Sequence, residues 1–236
     1  MIEKNFDTYL SISSTTLSAA VFNVFTENNF FFKEYNCATN LKENELNLNT
    51  FEALIEKIIF EIEKVTGTFL NDLNLMVDTP ETMSISLSLF KYIEDKKIQK
   101  KDAEYLAQDA KQQILRSYPE KNIVHVIVTN YIIDNISYEQ LPLNINCKKF
   151  CMNIQFICLS KKMLKKIEEI FNAHQISINK IICGSYAQSF GQSVGKINIC
   201  QSGFKINHGV NKREVVIIDR KSHKIGFFEK LFHFFK

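Results

Sequence analysis

Three kinds of residue in this chain could do chemistry, and their spacing limits what each could do. The run "SISSTT", Ser11 to Thr16, gathers hydroxyls between two apolar stretches. Hydroxyls in a turn either bond their own backbone or, together with the turn's amides, face an anion such as a phosphate. Ser11, Ser13, Ser14 and Thr15 are the candidate positions, and self-bonding is the expected use. The six cysteines, Cys37, Cys147, Cys151, Cys158, Cys183 and Cys200, form no C-x-x-C pair. Cys147 and Cys151 lie in strand-like sequence without a nearby histidine, so no metal site is expected and the thiols are read as reduced. His125, His174 and His208 are far apart and stand in no serine or cysteine nucleophile context, which makes them structural or exposed. No catalytic constellation emerges.

The strongest chemical signal is a surface rather than a reacting group. "KIGFFEKLFHFFK", Lys224 to Lys236, holds five phenylalanines in thirteen residues. At the helical period, Ile225, Phe227, Phe228, Leu231, Phe232, Phe234 and Phe235 fill one half of the wheel, and Glu229, Lys230, His233 and Lys236 fill the other. Such a helix either docks on its own core or lies in a membrane interface. The aromatic crowding and the basic flank favour the interface. Ile225, Phe227, Phe228, Lys230, Leu231, Phe232, Phe234, Phe235 and Lys236 are therefore the candidate membrane-binding residues. The segment is too short to span a bilayer, which takes about 20 apolar residues.

Charge supports that reading. The net charge is +3 over 236 residues. Residues 211–236 carry seven Lys/Arg and three Asp/Glu, a net of +4, so the other 210 residues are net −1. A basic terminal segment suits an anionic lipid surface, whereas a nucleic-acid footprint would need a basic face on the folded body. Nucleic acid is not an expected partner. Met1 to Asn5 lack the basic start and long apolar run of an export signal, and no run reaches transmembrane length.

Elements that would position these residues can be read from periodicity. Residues 8–25 predict two strands joined by the Ser/Thr turn, and 30–37 a third. Asn49 with Glu52 predicts a capped helix whose buried stripe is Phe51, Leu54, Ile55, Ile58, Ile59, Ile62 and Val65, stopped at Gly67. Strands are expected at 73–78 and 83–90. Asp102 is the expected cap of a second helix with Ala103, Leu106, Ala107, Ala110 and Ile114 inward. A long strand pair or a bent strand follows at 122–134, and another strand at 150–159. Then come a helix capped by Ser160, with Met163, Leu164, Ile167, Ile170 and Phe171 inward, and a strand at 178–184. Residues 185–222 add two short apolar runs, "KINIC" and "EVVIID", and a polar basic linker. The order implies mixed α/β architecture.

In this order the pieces resemble the bacterial cell-division protein family FtsA, actin-fold proteins with a small domain inserted into the first half. "YLSISSTTLSAAVF" (9–22) resembles the family's opening phosphate hairpin, and "QKKDAEYLAQDA" (99–110) the entry helix of the insertion. "IVHVIVTNYIIDN" (123–135) resembles one of its strands and is the most specific piece. "FICLSKKMLKKIEEIFNAHQISINKIICGSYAQS" (156–189) resembles the helix and strand that rejoin the core, and the terminal segment resembles the family's membrane-targeting helix. The resemblance implies an α/β fold: a partial actin-like (ribonuclease H-like) domain with an inserted α+β domain of SHS2 type and a C-terminal amphipathic helix. The implied boundaries are 1–97 for the first actin-like half, 98–182 for the insertion, 183–222 for a remnant of the second half with a linker, and 223–236 for the membrane helix.

Two departures from the family bear on function. Aligned on its phosphate hairpin, the acid is replaced by Ser11, the glycine by Ser13 and the lysine by Thr16. The second hairpin has its nearest remnant in "ICQSGFKIN" (199–207), where Cys200 stands for the acid and Gly203 survives. The second lobe is reduced to a few tens of residues. The expectation is a non-enzymatic adaptor without cofactor, with ATP not expected to bind. It would be tethered to the cytoplasmic leaflet of the inner membrane at the division site, and its partners would be FtsZ or later division proteins. The insertion would be the main interaction surface, and a weak anchor would need self-association or a polymeric partner. The alternatives are a minimal ATP-hydrolysing actin-fold protein and a pilus-assembly protein of PilM type.

Overall fold

The computed structural model describes residues 5–36, 48–211 and 213–217. The candidate membrane-binding residues from Ile225 to Lys236 lie outside them, as does Cys37. By contacts the described residues divide into two compact units: 5–36, 48–82 and 162–211, and 83–161 with 213–217.

Unit 1 is built on a five-stranded mixed sheet. Its strands are β1 (Phe6–Ile12), β2 (Thr16–Asn23), β3 (Asn29–Asn36), β4 (Asp72–Val77) and β9 (Ser177–Cys183), in the order β3-β2-β1-β4-β9. The first three are an antiparallel meander; β4 and β9 run parallel to β1. Parallel neighbours need crossovers. Helix α1 (Leu48–Thr66) leads into β4, and α3 (Lys161–Ala173) leads into β9.

Alternate side chains of the meander send helices to opposite faces. Lys33 and Tyr35 of β3 bond to Glu61 of α1 at 3.0 and 2.9 Å. On the other face, Tyr9 and Phe22 meet Phe204 of α5 (Ile199–Asn207), with ring centroids 5.8 and 4.7 Å apart. Tyr9, Phe22, Phe51, Ile55, Ile58 and Ile62 are all but fully buried. The stripe expected for α1 therefore faces the core at these positions. The helix starts at Leu48, one residue before the expected cap.

Unit 2 is an antiparallel sheet in the order β10-β6-β8-β5, made of β5 (Met83–Lys97), β6 (Lys121–Ile133), β8 (Asn146–Ser160) and β10 (Glu214–Ile217). β7 (Ile136–Tyr138) pairs with β6 through a tight turn in which Asp134 and Asn135 both take positive φ. One face is covered by α2 (Lys100–Ser117), whose Ala103, Leu106, Ala107, Ala110 and Ile114 are buried as their helical spacing demands. Beneath it, Phe150, Met152, Ile154, Phe156 and Cys158 of β8 are buried at every second position.

The architecture is mixed α/β, as the order of the sequence elements implied. Several local expectations are corrected. Asp102 is not the N-cap of α2 but the third helical residue; Gln99 is the cap, and its amide donates to Asp102 Oδ2 at 2.9 Å. A carboxylate at that position reaches back to the cap amide as the glutamate of a capping box does. Its other oxygen accepts from Lys91 Nζ at 2.8 Å. Residues 83–90, expected in the first half, pair with β8 in unit 2, and the 178–184 strand pairs with β4 in unit 1. The contacts thus divide the chain after Thr82 and Lys161, whereas the expected boundaries fell at 97 and 182.

Candidate functional site

The parallel strands β1, β4 and β9 end side by side, with Ile12 opposite Val77 and Val77 opposite Cys183. In open α/β sheets ligands bind outside the carboxyl ends of such strands. The hydroxyl turn that follows β1 stands at this end of the sheet.

The turn bonds to itself. Ser13 Oγ accepts from the amides of Thr15 and Thr16 at 3.3 and 3.0 Å. It also lies 2.8 Å from Thr16 Oγ1. The Ser13 amide donates to the Thr16 carbonyl at 2.9 Å. A phosphate cradle works by aiming backbone N–H groups outward at the anion. Here the amides of Ser13, Thr15 and Thr16 are directed into the turn. Ser11 is buried within β1, opposite Ser18 and Met76, so it is part of the sheet rather than of an open turn.

Beside the turn is an acid that sequence reasoning did not single out. The Asp78 amide donates to the Ile12 carbonyl at 2.9 Å, tying the end of β4 to the end of β1. Its carboxyl is half-buried, and burial pushes its pKa up from the ordinary carboxylate value. Gly184, the first residue of α4 (Gly184–Ser193), lies against it. A Cβ on Gly184 would stand 2.6 Å from Asp78 Cβ and 2.8 Å from the Asp78 amide nitrogen. Only a residue without a side chain allows the helix start to approach this backbone. The available signal was an acid directly after the apolar run "LNLMV", which is common at strand ends and points to no chemistry by itself.

The expected remnant of a second phosphate hairpin is not a hairpin. Residues 199–207 form α5, capped by Asn198, whose side-chain oxygen accepts from the Gln201 amide at 2.8 Å. Cys200 is fully buried, and burial raises its thiol pKa. Gly203 lies under Met76, whose Sδ would be 2.4 Å from an added Cβ. Both residues pack the helix onto the sheet. The run is helical because Phe204 finds Tyr9 and Phe22, a tertiary gain that overrides the poor propensity of a Ser-Gly pair.

No family model matches the chain, and no curated protein matches it. Among solved structures, it is similar to the cytoplasmic domain of EpsL, an inner membrane component of the type II secretion system of Vibrio cholerae. That match has 7% identity and a TM-score of 0.41 over 77% of this chain and 58% of that one. It is similar to the PilM-PilN type IV pilus biogenesis complex at 9% identity and a TM-score of 0.49, over 79% and 49%. A third is a Bacteroides thetaiotaomicron protein with an actin-like ATPase fold and unknown function, at 13% identity and a TM-score of 0.33 over 82% and 60%. The chain spans between 49% and 60% of the length of these structures. At such identities and scores the likeness decides nothing about the site, which is described from this chain's own geometry.

The other singled-out residues do not join the strand-end site. His125 is fully buried in unit 2, and its Nδ1 lies 2.6 Å from Glu214 Oε1, fastening β10 to β6. His208 stacks on Phe204 with ring centroids 4.1 Å apart, and its Nδ1 is 2.9 Å from the Phe204 carbonyl oxygen. The His174 amide donates to the Phe171 carbonyl at 3.1 Å in the turn after α3. The five described cysteines are free thiols. Among the described residues no group of three or more His, Cys, Asp or Glu side chains could hold a metal. No described helix is long and apolar enough to cross a membrane.

Proposed function

We propose that this chain is a non-enzymatic, actin-like adaptor that holds a protein partner at the cytoplasmic face of a bacterial inner membrane. The observation that carries the reading is the Ser13 turn. At the position where the resemblance places a phosphate hairpin, three amides are taken up by the turn's own oxygens. Binding a nucleotide there would first require breaking those bonds, each worth about 1 kcal/mol net. Ser11 supplies no carboxylate for a cation. The membrane half of the reading rests on the sequence from Ile225 to Lys236.

Two kinds of machine would use such an adaptor. The division reading, with FtsZ or later division proteins as partners, is supported by the sequence motifs. A pilus- or secretion-type machine is what the EpsL and PilM-PilN structures belong to, at a likeness too slight to choose between the two. The common element is a membrane-associated protein partner.

Sedimentation of the full chain with anionic vesicles, with and without Mg-ATP, tests the proposal. The expected result is reversible binding that ATP does not change and that Phe228→Glu with Phe232→Glu abolishes, because the pair puts two charges in the apolar face. Binding that requires ATP, or that survives the double substitution, would contradict it.

A further inference from the structure

Among the described residues, four strands form the edges of the two sheets: β3 and β9 in unit 1, β10 and β5 in unit 2. An edge exposes unpaired backbone groups and is normally blunted by shortness, charge, proline or a bulge. β10 has four residues. β3 carries Lys33 and Glu34, and β9 carries Lys180. The second half of β5 is blunted as well. It holds Lys91, Glu94, Asp95, Lys96 and Lys97, with a register break between Tyr92 and Lys96 and a positive φ of 52° at Glu94. The first half, "MSISLSLF" from Met83 to Phe90, has none of these devices. It runs in unbroken register against β8 from Cys158 to Cys151. It contains no charge and no proline.

Its side chains alternate cleanly. Ser84, Ser86 and Ser88 are exposed on one face, and Ile85 and Leu87 on the α2 face are only half-buried. A strand added at this edge would cover both of the latter with whatever apolar residue it placed beside them.

We infer that this edge pairs with the same edge of a second copy of the chain, antiparallel and about a two-fold axis. Directly opposed residues in a sheet share a face, so a self-pairing must set even-numbered residues against even and odd against odd. Centred on Ser86, it sets Ser84 against Ser88 and Ile85 against Leu87; centred on Leu87, it sets Ser86 against Ser88 and Ile85 against Leu89, with Ser84 beside Phe90. No like charges meet within the segment because it has none. The two-fold axis is normal to the sheet. Both copies of α2 then lie on one face, and the two unit 2 sheets join through β5. An isologous contact of this kind is self-limiting at the dimer. A dimer also presents two copies of the terminal amphipathic segment, which converts a weak anchor into a firmer one. The inference rests on the sheet edge and not on the membrane reading.

The test is sedimentation equilibrium of the full chain in lipid-free buffer, so that the membrane reading can fail without affecting it. The wild-type chain is expected to dimerise. Ser86→Lys with Ser88→Lys sets lysines opposite lysines in either register and should weaken the dimer by about tenfold or more, as should Ser86→Glu with Ser88→Glu. Mixing the Lys and Glu variants should restore dimers, now heterologous in charge, which a merely misfolded variant could not do. A monomeric wild-type chain would overturn the inference, including one that instead takes up an extended peptide at β5. So would a dimer that both pairs of substitutions leave intact, since it would be held elsewhere, for example by the aromatic terminal segment. Failure of the mixed variants to associate would overturn it too.

Discussion

The Ser13 turn and the Asp78–Gly184 junction stand at the same end of the same sheet, yet they solve opposite problems. The turn is polar and local: one hydroxyl gathers two amides, and every described bond stays within four residues. The junction is a close approach between segments about a hundred residues apart in sequence, where a helix start meets a strand end with no room for a methyl group. The turn can change its residues and remain a turn, since serine and threonine side chains mimic backbone partners. The junction cannot lose its glycine. At this end of the sheet the junction is fixed by packing, while the turn is fixed by hydroxyls and amides that bond one another.

The comparison can be broken most forcefully at the junction. Gly184→Ala should destabilise the chain by about 3 kcal/mol, at the upper end of overpacking costs, because the added Cβ meets backbone rather than a flexible side-chain tip. Urea unfolding would measure it, and a cost below about 1 kcal/mol would show that the approach is not tight. Ser13→Gly puts a phosphate-loop type of residue in the turn but removes the hydroxyl. Its expected cost is about 1–2 kcal/mol, from lost hydrogen bonding and added chain entropy, read in the same unfolding experiment, with no gain of ATP binding because Ser11 still offers no acid.

The smallest effect is expected at Asp78. Burial makes its carboxyl harder to ionise in the folded chain than in the unfolded one. Stability is therefore fullest below the ordinary carboxylate range and falls as pH rises through the elevated folded value. Asp78→Asn removes that loss and should raise stability at neutral pH, though by under about 1 kcal/mol because the group is only half-buried and water screens it. Thermal unfolding at pH 4 and pH 7 would show the variant's advantage growing with pH; an advantage that shrinks would reverse the sign of the argument.

Most of the strands and the three longer helices were legible because their apolar positions recur at the proper period: Phe51, Ile55, Ile58 and Ile62 on α1, alternate residues on β8; the three-residue β7 was not. The turn at Ser13 was legible as a turn that bonds itself. Helices α4 and α5 were not, since "GSYAQSFGQS" and "ICQSGFKIN" are rich in glycine and serine and have short apolar stripes. They are held by contacts no local pattern encodes, such as Gly203 beneath Met76 and Phe204 between Tyr9 and Phe22. The latter half of β5 was hidden by its polar sequence, "KYIEDKK", which reads as a loop but continues the ladder past a bulge. Asp78 was hidden for another reason. A single acid has no spacing, and its place beside Ile12 and Gly184 exists only once three strands have been brought together.

The most direct test of the central claim is calorimetric titration of the full chain with Mg-ATP. A Ser13 turn closed on its own oxygens, without an acid at Ser11, predicts no saturable heat up to millimolar nucleotide. A one-site isotherm with a dissociation constant in the low micromolar range would mean that the turn opens readily to phosphate, and would contradict the account.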